Sequence, residues 1–114
     1  MIIKKKDRKR LENSPNCIAY EYPLGDKDIN VTFIEIEGRY PDKGYVSNEA
    51  VKEIVFVVEG KGKIVIEKEE HEVEEGDAVL ILPKKRYFFN GNFKLLVPCS
   101  PTWYPEQHKN HETL

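Results

Sequence analysis

The sequence predicts an all-β domain, a small antiparallel β-barrel or jelly roll, on three observations. Apolar residues alternate with strand-like spacing along most of the chain. No window carries apolar residues at i, i+3, i+4 and i+7 behind a capping residue, so no helix is expected. Gly, Pro and Asn signals interrupt the apolar runs at roughly 8–12-residue spacing, as in sandwiches and barrels built of short strands. The 114 residues make one domain, with its core expected over 28–100 and both ends packed on the barrel or extending from it.

Each element follows from local pattern. The start, MIIKKKDRKR, reads as a solvated strand end, because an Asp interrupts its basic run. INVTFIEIEG (29–38) alternates and stops at Gly38, and GRYPDKGYVSNEA (38–50) reads as a polar loop. EIVFVVEG (53–60) is apolar on both faces. Alternation from Glu53 puts Val55 and Val57 inside, and Ile54, Phe56 and Val58 outside. Gly60 to Gly62 reads as a turn before the short β-branched run KIVIE (63–67). Gly76-Asp77 opens a second two-faced apolar strand, DAVLILP (77–83). RYFFNGNFKLLVPC (86–99) reads as two strands joined by a hairpin at Asn90-Gly91. In the tail, SPTWYPEQHKNHETL (100–114), Pro101 and Pro105 exclude a regular central strand. The tail is expected to wrap the body and then fray.

Composition excludes several function classes. A net charge of −2 and a pI near 5.9 argue against nucleic acid or an anionic membrane as partner. No apolar run is long enough to span a bilayer as a helix. No h-region follows the basic start, and Cys17 and Cys99 show neither CxxC nor metal spacing. They are expected to be reduced thiols in a cytoplasmic protein. The Lys- and Glu-rich composition, 33% charged, is compatible with a heat-adapted source.

Residues 30–105 resemble the cupin family. Glu53 and Gly60 match the Glu-to-Gly half of its first motif, while Gly76, Asp77 and Pro83 match the opening and turn of its second. The stretch PTWYPE (101–106) is similar to the closing segment of many small cupins. This resemblance implies a jelly roll with a metal held by three histidines and a glutamate. Here the first two histidine positions fall on Ser47 and Glu49, or on Val46 and Asn48, and the third falls on Tyr87. The resemblance therefore implies the fold without its usual metal centre.

Several chemistries remain open at these positions. Glu49 and Glu53 lie four apart, which keeps both on one face of a strand, and with Tyr87 they could form a weak oxygen-rich site for Mn or Mg. Otherwise no cofactor is expected, Glu53 is a hydrogen-bonded carboxylate, and Tyr87 fills a histidine's volume. A buried carboxylate needs a partner, and Arg39, Lys84 and Lys85 are the basic residues in loops near one mouth. Phe89 is a candidate cleft wall. Trp103 could stack on a planar ligand, or anchor the tail. His71 is expected to be exposed, and His108 and His111 to lie in the frayed tail. Cys99 reads as a small buried hydrophobe.

The reading placed first is a binding protein for a sugar or small polar acid, contacted by Arg39, Glu49, Glu53, Tyr87, Phe89 and Trp103. The alternative is an isomerase- or epimerase-type enzyme, in which Tyr87 works with Glu53 or Glu49 as proton donor and acceptor. A scaffold role comes third. Strands apolar on both faces need a second cover besides the barrel interior, and a homodimer is expected to supply it.

Overall fold

The computed structural model describes residues 1–114. Nine strands form one curled antiparallel sheet, the half-barrel of a jelly roll. They are β1 (Lys9–Ser14), β2 (Cys17–Glu21), β3 (Asn30–Tyr40), β4 (Tyr45–Asn48), β5 (Lys52–Ile66), β6 (Glu69–Glu74), β7 (Ala78–Ile81), β8 (Tyr87–Ser100) and β9 (His108–His111). Two single 3-10 turns, Lys5–Asp7 and Pro105–Gln107, are the whole helical content.

Two long strands organise the sheet. β8 pairs with β3 over Asn30↔Cys99 to Tyr40↔Phe89, and with β5 over Lys52↔Ser100 to Ile66↔Tyr87. β3 carries β2 and then β1 outward, β5 carries β7 and β6, and β4 carries β9. The inner face is the core, where Ile36, Val55, Val57, Ile64, Leu95 and Val97 are at most 2% exposed. Alternation from Glu53 holds: Val55 and Val57 are buried, while Ile54, Phe56 and Val58 face outward.

Four local expectations fail for identifiable reasons. Asn90-Gly91 is no hairpin, because β8 runs straight through it. Gly91 lies opposite both Gly38 and Gly62, and a Cβ there would sit 2.5 Å from the Gly62 Cα. The glycine thus permits close strand approach, which the turn-forming composition masks. Gly60 to Gly62 is likewise no turn but part of β5. Val58 is the extra residue of a β-bulge, followed by Gly60 at φ 86°. The bulge frees Val57 to pair with the β6–β7 turn, through Val57 N–H to Asp77 O and Gly76 N–H to Val57 O.

The segment 38–50 is not all loop. Residues 45–48 form β4 and bury Val46, Ser47 and Asn48. The tail does not fray after Pro105, since β9 pairs with β4 from Tyr45↔His111 to Asn48↔His108. Ahead of residue 28, the N-terminal segment forms the β1–β2 hairpin, which pairs on through β2 to β3.

Candidate active site

A narrow cleft of about 60 Å³, open at its rim, lies inside the half-barrel between β1–β3 and the C-terminal segment. Cys17, Ala19, Ile34, Phe89 and Val97 make its apolar walls, and Glu53, Tyr87, Tyr40, Trp103 and His108 make its polar end. Asn13, Glu21 and Thr32 also line it.

The polar end is organised by one buried side chain, Asn48. Its orientation follows from donors that cannot reverse. Gln107 Oε1 accepts from the backbone N–H groups of Ala50 and Val51 at 3.2 and 3.3 Å, so Gln107 Nε2 is its donor end. Gln107 Nε2 and Trp103 Nε1, a donor only, both point at Asn48 Oδ1, at 2.9 and 3.1 Å. That oxygen is therefore the amide carbonyl. His108 Nδ1 lies 2.8 Å from the same atom and must carry the proton. Neutral His108 then accepts at Nε2 from the Tyr40 hydroxyl, at 3.2 Å.

The other end of Asn48 faces β5 and β8. Its Nδ2 donates to Glu53 Oε1 at 2.9 Å and to the Tyr87 hydroxyl at 3.3 Å. Tyr87 in turn donates to Glu53 Oε1 at 3.4 Å, closing a triangle. Both donations converge on one carboxyl oxygen, and Oε2 has no protein donor.

Burial sets the electrostatics. It pushes the Glu53 carboxyl up to about 7, against the Tyr87 and Asn48 donations that pull it down. Burial also raises the Tyr87 hydroxyl, helped by the neighbouring Glu53, and the Tyr40 hydroxyl, helped by Cys17 and Glu53. It raises the Cys17 thiol to about 11, opposed by a hydrogen bond from Asn13. His108 is lowered to about 4 by burial and by His111. Near neutral pH these tyrosines, the thiol and His108 are uncharged, and Glu53 is the group there that changes charge.

Of the residues singled out from sequence, Glu53, Tyr87, Phe89 and Trp103 come together in the cleft. Arg39 lies elsewhere. Its guanidinium donates to Pro41 O and Gly44 O at 2.6 and 3.0 Å and stacks 3.9 Å from the Phe88 ring centroid. Glu49 is also away from the cleft. The strand stops at Asn48, so Glu49 does not share the face of Glu53; it is exposed and accepts from Ser47 Oγ. Lys84 and Lys85 do not line the cleft, and no three His, Cys, Asp or Glu side chains cluster. His71, expected to be exposed, is partly buried beside Glu69.

Sequence reading missed Tyr40, Asn48, Gln107 and His108 as a unit. Tyr40 was accessible to it, because period-two alternation from Ile34 and Ile36 puts Tyr40 on the inner face. His108 carried no local signal, since it reaches the site only through β9 pairing with β4.

No protein-family model matches the chain, and no curated protein matches it in sequence. Solved structures do. One of Pac13, described as a unique nucleoside dehydratase, superposes with a TM-score of 0.88 at 15% identity, over 98% of this chain and 91% of that one. A Streptomyces Pac13 variant with a tyrosine-to-phenylalanine replacement, solved with uridine, gives 0.86 at 17%, over 98% and 93%. An RmlC-like cupin from Shewanella frigidimarina gives 0.72 at 14%, over 88% and 89%. At such identities the likeness establishes the fold, a cupin jelly roll.

Proposed function

We propose that the cleft binds an uncharged, hydroxyl-bearing small molecule and that Glu53, assisted by Tyr87, moves protons on it. The reaction class that fits best is loss of water from a nucleoside-like substrate. The observation that carries this reading is the Glu53 carboxyl, held near 7 by burial at the wall of an apolar cleft. Elimination of water needs a proton taken from carbon and a proton given to the departing hydroxyl. A carboxyl whose affinity for protons matches neutral pH serves both steps, taking the proton as carboxylate and returning it as acid.

The lining supports an uncharged ligand. Glu21 and Glu53 belong to it, and the residues around them include neither Lys nor Arg. A phosphate or carboxylate would enter beside two acids without a partner, at a cost of several kcal/mol. Phe89 and Trp103 offer ring faces to a planar ligand. The likeness to a nucleoside dehydratase, seen with uridine both in a histidine variant and in two tyrosine variants, supports the same class.

The residues at the family's metal positions suit this chemistry better than a divalent cation. Asn48 Oδ1 already accepts three hydrogen bonds, and Tyr87 is held as a neutral phenol. Glu53 alone would have to neutralise the ion, so we assign no step to a metal. We further propose a homodimer formed through the outer sheet face. The two unpaired, buried thiols favour a reducing compartment such as the cytoplasm.

The test is direct. Uridine and uridine monophosphate are titrated into isotope-labelled protein. Nucleosides are then incubated with it in heavy water, and loss of water and deuterium uptake are followed by mass spectrometry. Resonances of Tyr40, Glu53 and Phe89 should move with uridine, and the monophosphate should bind at least about tenfold more weakly. Glu53→Gln should lower turnover by about 100-fold or more while leaving binding. Binding without turnover or deuterium uptake would reduce the protein to a binding module, and preference for the monophosphate would overturn the ligand class.

A further inference from the structure

We infer that Asn48 is the positioning residue that fixes the Glu53 proton on Oε2, the carboxyl oxygen left free of protein donors, so that the C-terminal segment sets the direction of proton transfer in the cleft. The inference rests on the reading of Glu53 as the acid–base group. It adds an element that neither the family pattern nor local sequence supplies.

The argument is one of counting donors. The oxygen of Glu53 nearest β4 receives Asn48 Nδ2–H at 2.9 Å and Tyr87 O–H at 3.4 Å. A proton on that same oxygen would have to displace one of these donors. Rotating the carboxyl exchanges its two oxygens without changing this outcome, since whichever oxygen lies there must be the acceptor. The proton of neutral Glu53 is therefore carried on the other oxygen, Oε2. Tyr87 cannot take over the role, because its own hydrogen is committed to Glu53 and its lone pair to Asn48.

What holds the Asn48 amide in this sense is remote in sequence. Three donors, Trp103 Nε1, Gln107 Nε2 and His108 Nδ1, meet Oδ1. A flipped amide would set its two N–H groups against three donors and turn its carbonyl oxygen toward the Glu53 Oε1 acceptor. Gln107 is itself locked by the backbone at Ala50 and Val51, and β9 is held to β4 by pairing and by His111 Nε2 at 2.7 Å from Ser47 Oγ. The titratable groups that face Glu53 are Tyr40 on β3, Cys17 on β2, Tyr87 and Cys99 on β8, and His108 through Asn48. These are neutral near pH 7; Glu21 on β2 also lines the cleft but makes no hydrogen bond to either Glu53 oxygen, so the direction of the Asn48 amide decides between the two.

Two measurements on the full chain test this without any substrate. In the wild type, the side-chain amide protons of Asn48 should shift with the same midpoint as the Glu53 carboxyl carbon in a pH titration followed by NMR. In Asn48→Leu, which removes the donor without adding a charge, the Glu53 midpoint should rise by at least about one pH unit. The acid–base limbs of any turnover profile should move with it. Amide protons that ignore the Glu53 titration, or an Asn48→Leu variant that folds with an unmoved midpoint, would overturn the inference. If Asn48→Leu does not fold, the wild-type titration still decides. A coupled titration in a protein that turns over no nucleoside would leave this inference standing and remove only the reaction proposed above.

Discussion

At the scale of single residues, Glu53 and His108 contribute to stability with opposite pH dependence. The Glu53 carboxyl ionises near 4.5 when unfolded and near 7 in the fold. Its contribution is therefore fully present below pH 4.5 and is lost as pH rises toward 7, by roughly 3 kcal/mol. His108 titrates near 6.5 unfolded and near 4 folded, so its contribution is present above 6.5 and is lost as pH falls toward 4. Across the overlap the two trends oppose each other, and wild-type stability should change little with pH there. Glu53→Gln exposes the balance. In urea unfolding, the variant should gain roughly 3 kcal/mol on the wild type at pH 8 relative to its standing at pH 4. An unchanged difference between the two pH values would show that the Glu53 carboxyl titrates alike in the folded and the unfolded chain. The sequence made half of this site readable. Glu53 and Tyr87 stand at positions of the family's motifs, and Phe89 lies two residues from Tyr87 on the same strand face. Asn48 stood at a histidine position of that motif but gave no sign of its partners, which lie more than fifty residues away.

At the scale of elements, strands were legible and their joints were not. Apolar alternation reports which face a strand buries, because water exclusion acts residue by residue. A glycine reports only that something special happens to the backbone. Gly38, Gly91 and Gly62 lie side by side across β3, β8 and β5, and locally each resembles a turn. The actual β5–β6 turn, Glu67-Lys68, carries none of the usual turn residues, although Glu67 sits at φ 55°. The glycine row leads to a comparison. A Cβ on Gly91 would meet Gly62 Cα at 2.5 Å and Lys61 O at 2.7 Å, whereas one on Gly25 meets nothing within 4 Å. Both changes to Ala are unfavourable, but for different reasons. Gly25→Ala, at φ 76°, should cost about 1 kcal/mol through its backbone alone. Gly91→Ala should cost about 1–3 kcal/mol through strand separation, and Gly91→Val more. Equal denaturation midpoints for Gly91→Val and wild type would mean that the strands part there without strain.

At the scale of the whole molecule, the outer face of β5, β7 and β8 remains to be covered. Ile54 is 47% exposed, Phe56 38%, Val58 39%, Leu80 57%, Leu82 46% and Leu96 37%. The register makes them one surface. Ile54 lies opposite Leu80, and Phe56 lies between Ala78 on one side and Leu96 on the other. The chain's own ends are the other elements that could cover this surface. The C-terminal segment is instead committed to β4 and to Asn48, while Met1 and Ile2 are 90% and 79% exposed. A patch of several hundred Å² is at the upper end of what monomers leave in water. Covering it at about 25 cal/mol per Å² is worth several kcal/mol per subunit before the cost of association. A second copy is the partner whose patch matches in size and character by symmetry, and a two-fold arrangement pairs each strand face with itself. Light scattering at micromolar concentration should therefore report about twice the 13.3 kDa chain mass. Phe56→Glu combined with Leu80→Lys should return a monomer whose cleft still binds ligand, because both side chains point away from the core. A wild-type monomer at that concentration would refute the dimer and leave the apolar face to a partner of another kind.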